Sequence, residues 1–339
     1  MQEPRPSLVD VYTTVAGGQD VYLLRRGEVD NKQGKADPGF LQVLLRTGSD
    51  TPAAQQEQAK LPLDPRISLA GWMTDVDRGA GPLVARVLAN RIWQHHLGEG
   101  IVGTPNDFGV QGDKPTHPEL LEWLASQLVS GGWKLKPLHK LIMLSSVYQQ
   151  SHEISPDNLQ IDPTNHYLWH FQPRRLDAEP IRDALLALGG NLDLTMYGPS
   201  ILDETPRRSV YLRVKRSELL PIMTMFDAPE PTQSVGERIS TTVPTQSLTM
   251  MNSPFVRQQA ERLAKRIHPT IGGAAAESVD LAYRIAFART PTDAERKQML
   301  DFITAQQSLA SGDPTAKLDQ ALTEFCQVLL CLNEFIYID

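Results

Sequence analysis

Apolar residues recur along much of the chain at helical spacing. Val84, Val87, Leu88 and Ile92 stand at i, i+3, i+4 and i+8, which is one face of an α-helix and predicts a helix from Gly81 to about Leu97. At about 100° per residue, Arg91 and His95 fall on the same stripe, so both are expected to point inward. Thr116-His117-Pro118-Glu119 fits a capping box ahead of Leu120, Leu121, Trp123 and Leu124, and predicts the start of a second helix. Further helices are predicted around Leu138, Leu141, Ile142 and Ser145, and from Asp177 through Ile181, Leu185, Leu186 and Leu188 to Gly189-Gly190. Ser253-Pro254 and the Thr292 to Glu295 box start two more, and Leu318, Leu322, Phe325, Leu329 and Leu332 line a last one.

Two stretches break this period. Residues 1 to about 50 read as extended, with β-formers Val21 to Leu24 ending near Gly27. From Ser209 to Lys215, Val210, Leu212 and Val214 alternate with Tyr211, Arg213 and Lys215, which predicts a strand with one basic face. The reading is a mostly α, multi-helix bundle-like domain with a minor β element near 209–215 and an extended N-terminal arm. Residues 1–80 form arm and linker, or the end of a preceding domain, and 81–339 form the helical domain. The Pro- and polar-rich stretch Asp227 to Pro244 is either an internal boundary or a long ordered loop.

Composition narrows the classes. Of 339 residues, 41% are hydrophobic and 22% charged, and 33 Lys+Arg against 40 Asp+Glu leave a net charge of −7, an ordinary globular profile with enough apolar material for a large core. No run approaches the ~20 apolar residues of a membrane span, and the acidic balance offers no general field for nucleic-acid phosphates. The two cysteines, Cys326 and Cys331, lie five apart in an apolar run; on a helix they diverge by about 140°, so they read as buried thiols with no mutual disulfide. The N-terminus lacks an apolar signal core, so an export signal is expected to have been removed or to lie on a longer parent.

Chemistry concentrates between Arg86 and Glu119. Arg91, Trp93, His95, His96, Asn106, Asp107, His117 and Glu119 fall within one helix, one loop and the next helix start. An inward guanidinium and imidazole need partners, and Asp107 is the nearest obvious carboxylate. The three can form a structural network pinning the loop to the helix. They can equally floor a polar cleft in which Asp107 and His95 share proton transfer. Glu119 is accounted for by the capping box and is a poorer second carboxylate. His95, His96 and His117 have no metal-ligand spacing, so no metal is expected. Tyr211 and Arg213 offer a basic strand face that either holds an anion such as a carboxylate or sulfate, or is simply solvated. No P-loop, G-x-G-x-x-G, G-x-S-x-G or C-x-x-C-H occurs, and no cofactor is expected.

Arg86 to Val102, Thr104 to Gly109 with Pro115 to Leu121, and Arg174 to Glu179 together resemble the planctomycete PSD domain, the domain of unknown function numbered fifteen fifty-three. Arg207 to Leu212, Thr241 to Pro254 and Asn333-Glu334-Phe335 add to the resemblance, which spans about Pro82 to the C-terminus. It implies a module of larger exported bacterial proteins, extracytoplasmic and often joined to a cytochrome-c-like domain. The chain is then expected to be an excised portion or a short member. The family's settings link it to polysaccharide breakdown by association. The leading expectation is a carbohydrate-linked catalytic or substrate-binding domain taking a polysaccharide or oligosaccharide, with glycoside hydrolysis needing a carboxylate pair, Asp107 first and Glu119 second. The other is a non-enzymatic docking module for a cytochrome c or another redox partner.

Overall fold

Proline sets many of the helix starts: Pro118, Pro156, Pro221, Pro244, Pro254 and Pro314 each open a helix, where the missing N–H is no loss and φ is already helical. The computed structural model describes residues 20–36, 39–44, 65–201, 205–215, 219–268 and 275–338. These are mostly helical, with two small antiparallel sheets, and divide into two compact units, one ending at Phe171 and one beginning at Gln172. The rest of the expected N-terminal arm, residues 1–19, 37–38 and 45–64, lies outside the described residues.

The first unit opens with an exposed hairpin of β1 (Tyr22–Leu24) and β2 (Lys32–Lys35). The stretch expected to be arm and linker also contains a helix, α1 (Pro65–Thr74), whose Trp72 stacks on Phe40 at 5.1 Å between ring centroids. Then come α2 (Gly81–Leu97), α3 (Pro118–Ser130), α4 (Leu135–Met143) and α5 (Pro156–Ile161). The predicted extent of α2 agrees with the structure, with Gly98 at φ 92° supplying the left-handed cap.

Its buried face differs from the expected stripe by about one residue. Ala85, Ala89, Ile92 and Trp93 are buried, whereas Val84, Val87, Leu88 and Arg91 are only partly so and His95 is exposed. Small alanines let α3 approach closely and bring Leu121, Leu124 and Leu128 against the helix, together with Leu138 and Ile142 of α4. The expected capping box is also absent. α3 begins at Pro118 with His117 as its cap residue, and Thr116 sits one position too early. Both donors of Thr116 go instead to the Ile101 carbonyl, the N–H at 2.8 Å and the hydroxyl at 3.2 Å. Trp123 of this helix is exposed, while Leu121 and Leu124 are buried.

The second unit comprises β3 (Arg174–Arg175), α6 (Ala178–Leu188), α7 (Pro221–Met225), α8 (Pro244–Asn252), α9 (Pro254–Ile267), α10 (Ala275–Phe287), α11 (Asp293–Leu309), α12 (Pro314–Leu330), α13 (Asn333–Ile336) and β4 (Tyr337–Ile338). β3 pairs with β4, so the end of the chain returns to the start of this unit. Fully buried Ile181, Val256, Leu263, Tyr283, Phe325 and Leu329 build its core. Cys326 is buried and Cys331 partly so, and both are free thiols. Residues 227–244 run within this unit as an ordered loop, tied down by Asp227 to Thr241 and by Arg238 to Glu179.

The strand predicted over 209–215 does not form. Ser209–Tyr211 make a single 3-10 turn, and Leu212 contributes only an isolated bridge to Ile201. Asp183 takes the Ser209 N–H and hydroxyl, each at 2.7 Å, buried Arg182 holds the Thr205 and Arg207 carbonyls just before the segment at 2.9 Å, and Ile201 pairs with the backbone of Tyr211 and Arg213 at 2.9 and 3.0 Å.

At the start of α11 the Thr292–Glu295 capping box is present, and Arg289 clamps it. The guanidinium bonds Glu295 at 2.7 and 2.9 Å and Glu334 of α13 at 2.6 and 2.7 Å. Those bonds, against a smaller opposing effect of burial, hold the Glu295 carboxyl down to about 2. A depressed folded pKa means stability that is present above the ordinary value and lost as pH falls through the folded one. Stability against urea is therefore expected to fall between about pH 5 and pH 2 by about 1–3 kcal/mol from this group, after allowance for solvent screening. Glu295→Gln should flatten that slope; an unchanged slope would refute the clamp.

Candidate functional site

Eight of the ten residues singled out from the sequence lie in the first unit, on α2, the following loop and the start of α3. The loop is pinned at its base by Asn90. This fully buried amide donates to the Val102 carbonyl at 3.0 Å and accepts from the Val102 N–H at 2.8 Å. Gly100 passes so close that a Cβ there would meet the Asn90 amide nitrogen at 2.8 Å.

Arg91 donates to Asn106 Oδ1 at 2.7 Å, not to Asp107 as expected. Asp107 is exposed and closes its own turn: Oδ1 accepts from the Gly109 N–H at 2.8 Å, and its carbonyl accepts from the Thr104 hydroxyl at 2.9 Å. With the buried stripe turned by one residue, the Arg91 guanidinium needs no deep counter-ion, and an amide oxygen at the loop tip suffices. Trp93 is 5% exposed and packs in the core, so its ring is not offered to a ligand. Glu119 is exposed on the first turn of α3, and His95 is exposed near the end of α2.

The two other histidines find rings. His96 Nε2 lies 2.8 Å from His139 Nδ1, so one imidazole must donate and the other accept, and Tyr148 meets His96 edge-on at 5.6 Å. His117 is bonded through Nδ1 to Thr116 Oγ1 at 3.0 Å and stacks on His166 at 5.5 Å between centroids, with the planes 28° apart. Tyr167 stands edge-on to His166 at 5.1 Å and is 71% exposed. Burial, and then the neighbouring His166, lower the His117 pKa below that of an ordinary imidazole, which keeps the ring neutral at neutral pH.

The loop carrying His166 and Tyr167 is built by two side chains. Asp162 accepts from the His166 N–H at 3.0 Å and the Tyr167 N–H at 2.7 Å. Asn165, at φ 56°, accepts from the Trp169 N–H at 2.9 Å and donates to the His170 carbonyl at 2.9 Å. Burial pushes the Asp162 carboxyl up. The Tyr167 and His166 amides, the Thr164 hydroxyl and the His166 ring outweigh this and leave it below the usual carboxylate range.

Tyr211 and Arg213 belong to the second unit. The Tyr211 hydroxyl accepts from the Tyr197 N–H at 2.8 Å, and the Arg207 guanidinium lies 4.0 Å above its ring. Arg207 is buried and donates to the Thr195 and Tyr197 carbonyls at 2.9 and 2.6 Å, so this part of the expected basic face holds the fold together. Arg213 is exposed and lines a cleft of about 410 Å³. Another wall carries Arg238 in a two-pronged pair with Glu179, at 2.6 and 3.0 Å. Burial raises the Glu179 carboxyl, and the Arg238 bonds and charge more than reverse it.

Residues 65–303 match PSD1, described as a protein of unknown function (DUF1553). The chain belongs to the PSD1 family. All ten candidate residues, and Asp162, His166 and Tyr167 besides, lie inside the PSD1 match. No curated protein and no solved structure matches this PSD1 chain. Among its described residues, no group of three or more His, Cys, Asp or Glu side chains is placed to hold a metal ion, and no helix is long and apolar enough to cross a membrane.

Chemically, the first unit presents a neutral imidazole stacked on a second, an exposed tyrosine on a hydrogen-bonded loop, and an arginine of α2 paired with a loop amide. These groups can donate and accept hydrogen bonds beside a flat apolar ring face. Sequence reasoning passed over Asp162, His166 and Tyr167. The available signal was Asp162-Pro163-Thr164-Asn165, a run of side chains that bond their own backbone and tolerate left-handed φ.

Proposed function

We propose that this PSD1 chain is a saccharide-binding domain of an exported protein, with its ligand seated on the His117–His166–Tyr167 ring cluster. The observation that carries the reading is Tyr167, 71% exposed on a backbone that the Asp162 carboxylate holds, with its ring edge-on to His166. A large aromatic held out to solvent on a preorganised loop loses little entropy on binding and suits the CH face of a sugar ring. Arg91, Asn106 and His117 supply hydroxyl-directed hydrogen bonds from the adjoining loop and helix. Binding, not bond cleavage, is favoured because the Asp107 carboxylate is engaged in its own turn.

The test is a panel of polysaccharides and oligosaccharides, scored both for binding and for released product. At least one glycan is expected to bind without product, and Tyr167→Ala to weaken it about tenfold or more. Absence of any glycan binding, or equal binding by the variant, would overturn the reading. Product that disappears in Asp107→Asn would replace it with glycoside hydrolysis.

A further inference from the structure

The cleft in the second unit has a charge pattern that its own side chains do not complete. Its floor is aliphatic, with Leu212, Leu220 and the buried Met223. Four charged side chains line it: Glu179, Arg213, Glu230 and Arg238. Arg238 and Glu179 satisfy each other through two parallel bonds, with Asp177 a further 3.3 Å contact to Arg238. Arg213 and Glu230 are exposed, and among the described residues neither side chain has a hydrogen bond or ion pair. Among the described residues, one cation and one anion without a partner therefore line the same largely apolar cleft.

We propose that this cleft binds a zwitterionic α-amino compound with an apolar side chain, a free amino acid or a dipeptide, its carboxylate on Arg213 and its ammonium on Glu230. A simple anion would pair with Arg213 but bring its charge towards Glu230, and a simple cation would meet the reverse problem. A zwitterion answers both, and arginine's fork of donors suits a carboxylate. The side chain covers Leu212, Leu220 and Met223, and the Gln233 amide is at hand for a peptide or carboxyl group. A volume of about 410 Å³ falls within the range of small-molecule sites. Among the described residues no aromatic side chain lines the cleft, which sets it apart from the ring cluster proposed for saccharide.

Titration calorimetry on the full chain with four probes tests the proposal: L-leucine, L-leucyl-L-leucine, 4-methylpentanoate, which keeps only the carboxylate, and isopentylamine, which keeps only the ammonium. Leucine or the dipeptide is expected to bind, the tighter of the two identifying the source, and both singly charged probes to bind about tenfold more weakly or worse. Arg213→Gln and Glu230→Gln should each weaken the zwitterion by about tenfold, while Tyr167→Ala leaves it unchanged. Both substitutions are at exposed positions, and circular dichroism will confirm that the variants fold. The proposal fails if neither zwitterion binds at millimolar concentration, if 4-methylpentanoate binds as tightly as leucine, or if both charge variants bind like the parent.

Discussion

Asp227→Ala is expected to destabilise the second unit by about 3–5 kcal/mol, because it strips a buried arginine of its counter-ion. The Arg175 side chain is 3% exposed, and Nη2 meets Asp227 at 2.7 Å. Its other neighbours do little for the charge: the Phe226 carbonyl at 3.3 Å and the Phe226 ring at 5.4 Å. Among the described residues, Nε and Nη1 are buried with no hydrogen-bond partner, so one carboxylate carries the compensation of the guanidinium. The same carboxylate accepts from the Thr241 N–H at 2.8 Å and from its hydroxyl at 2.9 Å, which ties down the 227–244 loop. Burial raises the Asp227 carboxyl, but the Thr241 bonds and the Arg175 charge outweigh it and keep the group ionised. Asp227 sits at φ 62°, a conformation asparagine tolerates well, so Asp227→Asn isolates the charge from the backbone. That variant should lose about half as much, since its amide oxygen still accepts. Urea unfolding of the three proteins measures the series, and an alanine variant within ~1 kcal/mol of the parent would refute it.

Asn90→Ala is expected to cost the first unit about 2–5 kcal/mol by orphaning two buried backbone groups at once. Val102 is 2% exposed, and its N–H and carbonyl both pair with the Asn90 side chain, so water has no route to replace the amide. Asn90→Asp discriminates shape from bonding. It keeps the size and the acceptor for the Val102 N–H, yet sets a carboxylate against the Val102 carbonyl, so it should be at least as damaging as alanine. Denaturation midpoints decide this, and a fully stable aspartate variant would show that the amide is not the pin. Because the pinned loop carries Asn106 and leads to His117, either change should also weaken glycan binding if the ring cluster is the site. Loss of stability with glycan binding intact would separate scaffold from site.

Where elements begin and end was legible because the signals are local. Pro82 and Gly98 bracket α2, Asp177 and Gly189-Gly190 bracket α6, and Thr292 with Glu295 caps α11. Each depends on the φ range of a residue or on a side chain reaching its own backbone. The box at Thr116 misled because its four residues also fit a second arrangement, in which Pro118 takes the first helical position and Thr116 is claimed by a carbonyl fifteen residues earlier. The reading of 209–215 as a strand failed in the same way. Alternation alone cannot reveal that Asp183, on a helix some 26 residues away, takes the Ser209 N–H, or that Arg182 beside it holds the Ser209 hydroxyl and the Thr205 and Arg207 carbonyls.

The candidate site divides along the same line. By itself the sequence determined the mostly helical fold, the ends of α6 and the start of α11, the membership of PSD1 and a polar, aromatic segment around Arg91 to Glu119. The tertiary structure decided which of those side chains meet: Arg91 with Asn106, His96 with His139, His117 with His166. It also placed Arg213 in a cleft with Glu230, and Trp93 in the core. The physical reason is range. Capping and turn chemistry act within about four residues of the chain. Which face of α2 is buried depends on how closely another helix can approach its alanines, and a ring or carboxylate gains its partner only when packing brings distant segments within bonding distance.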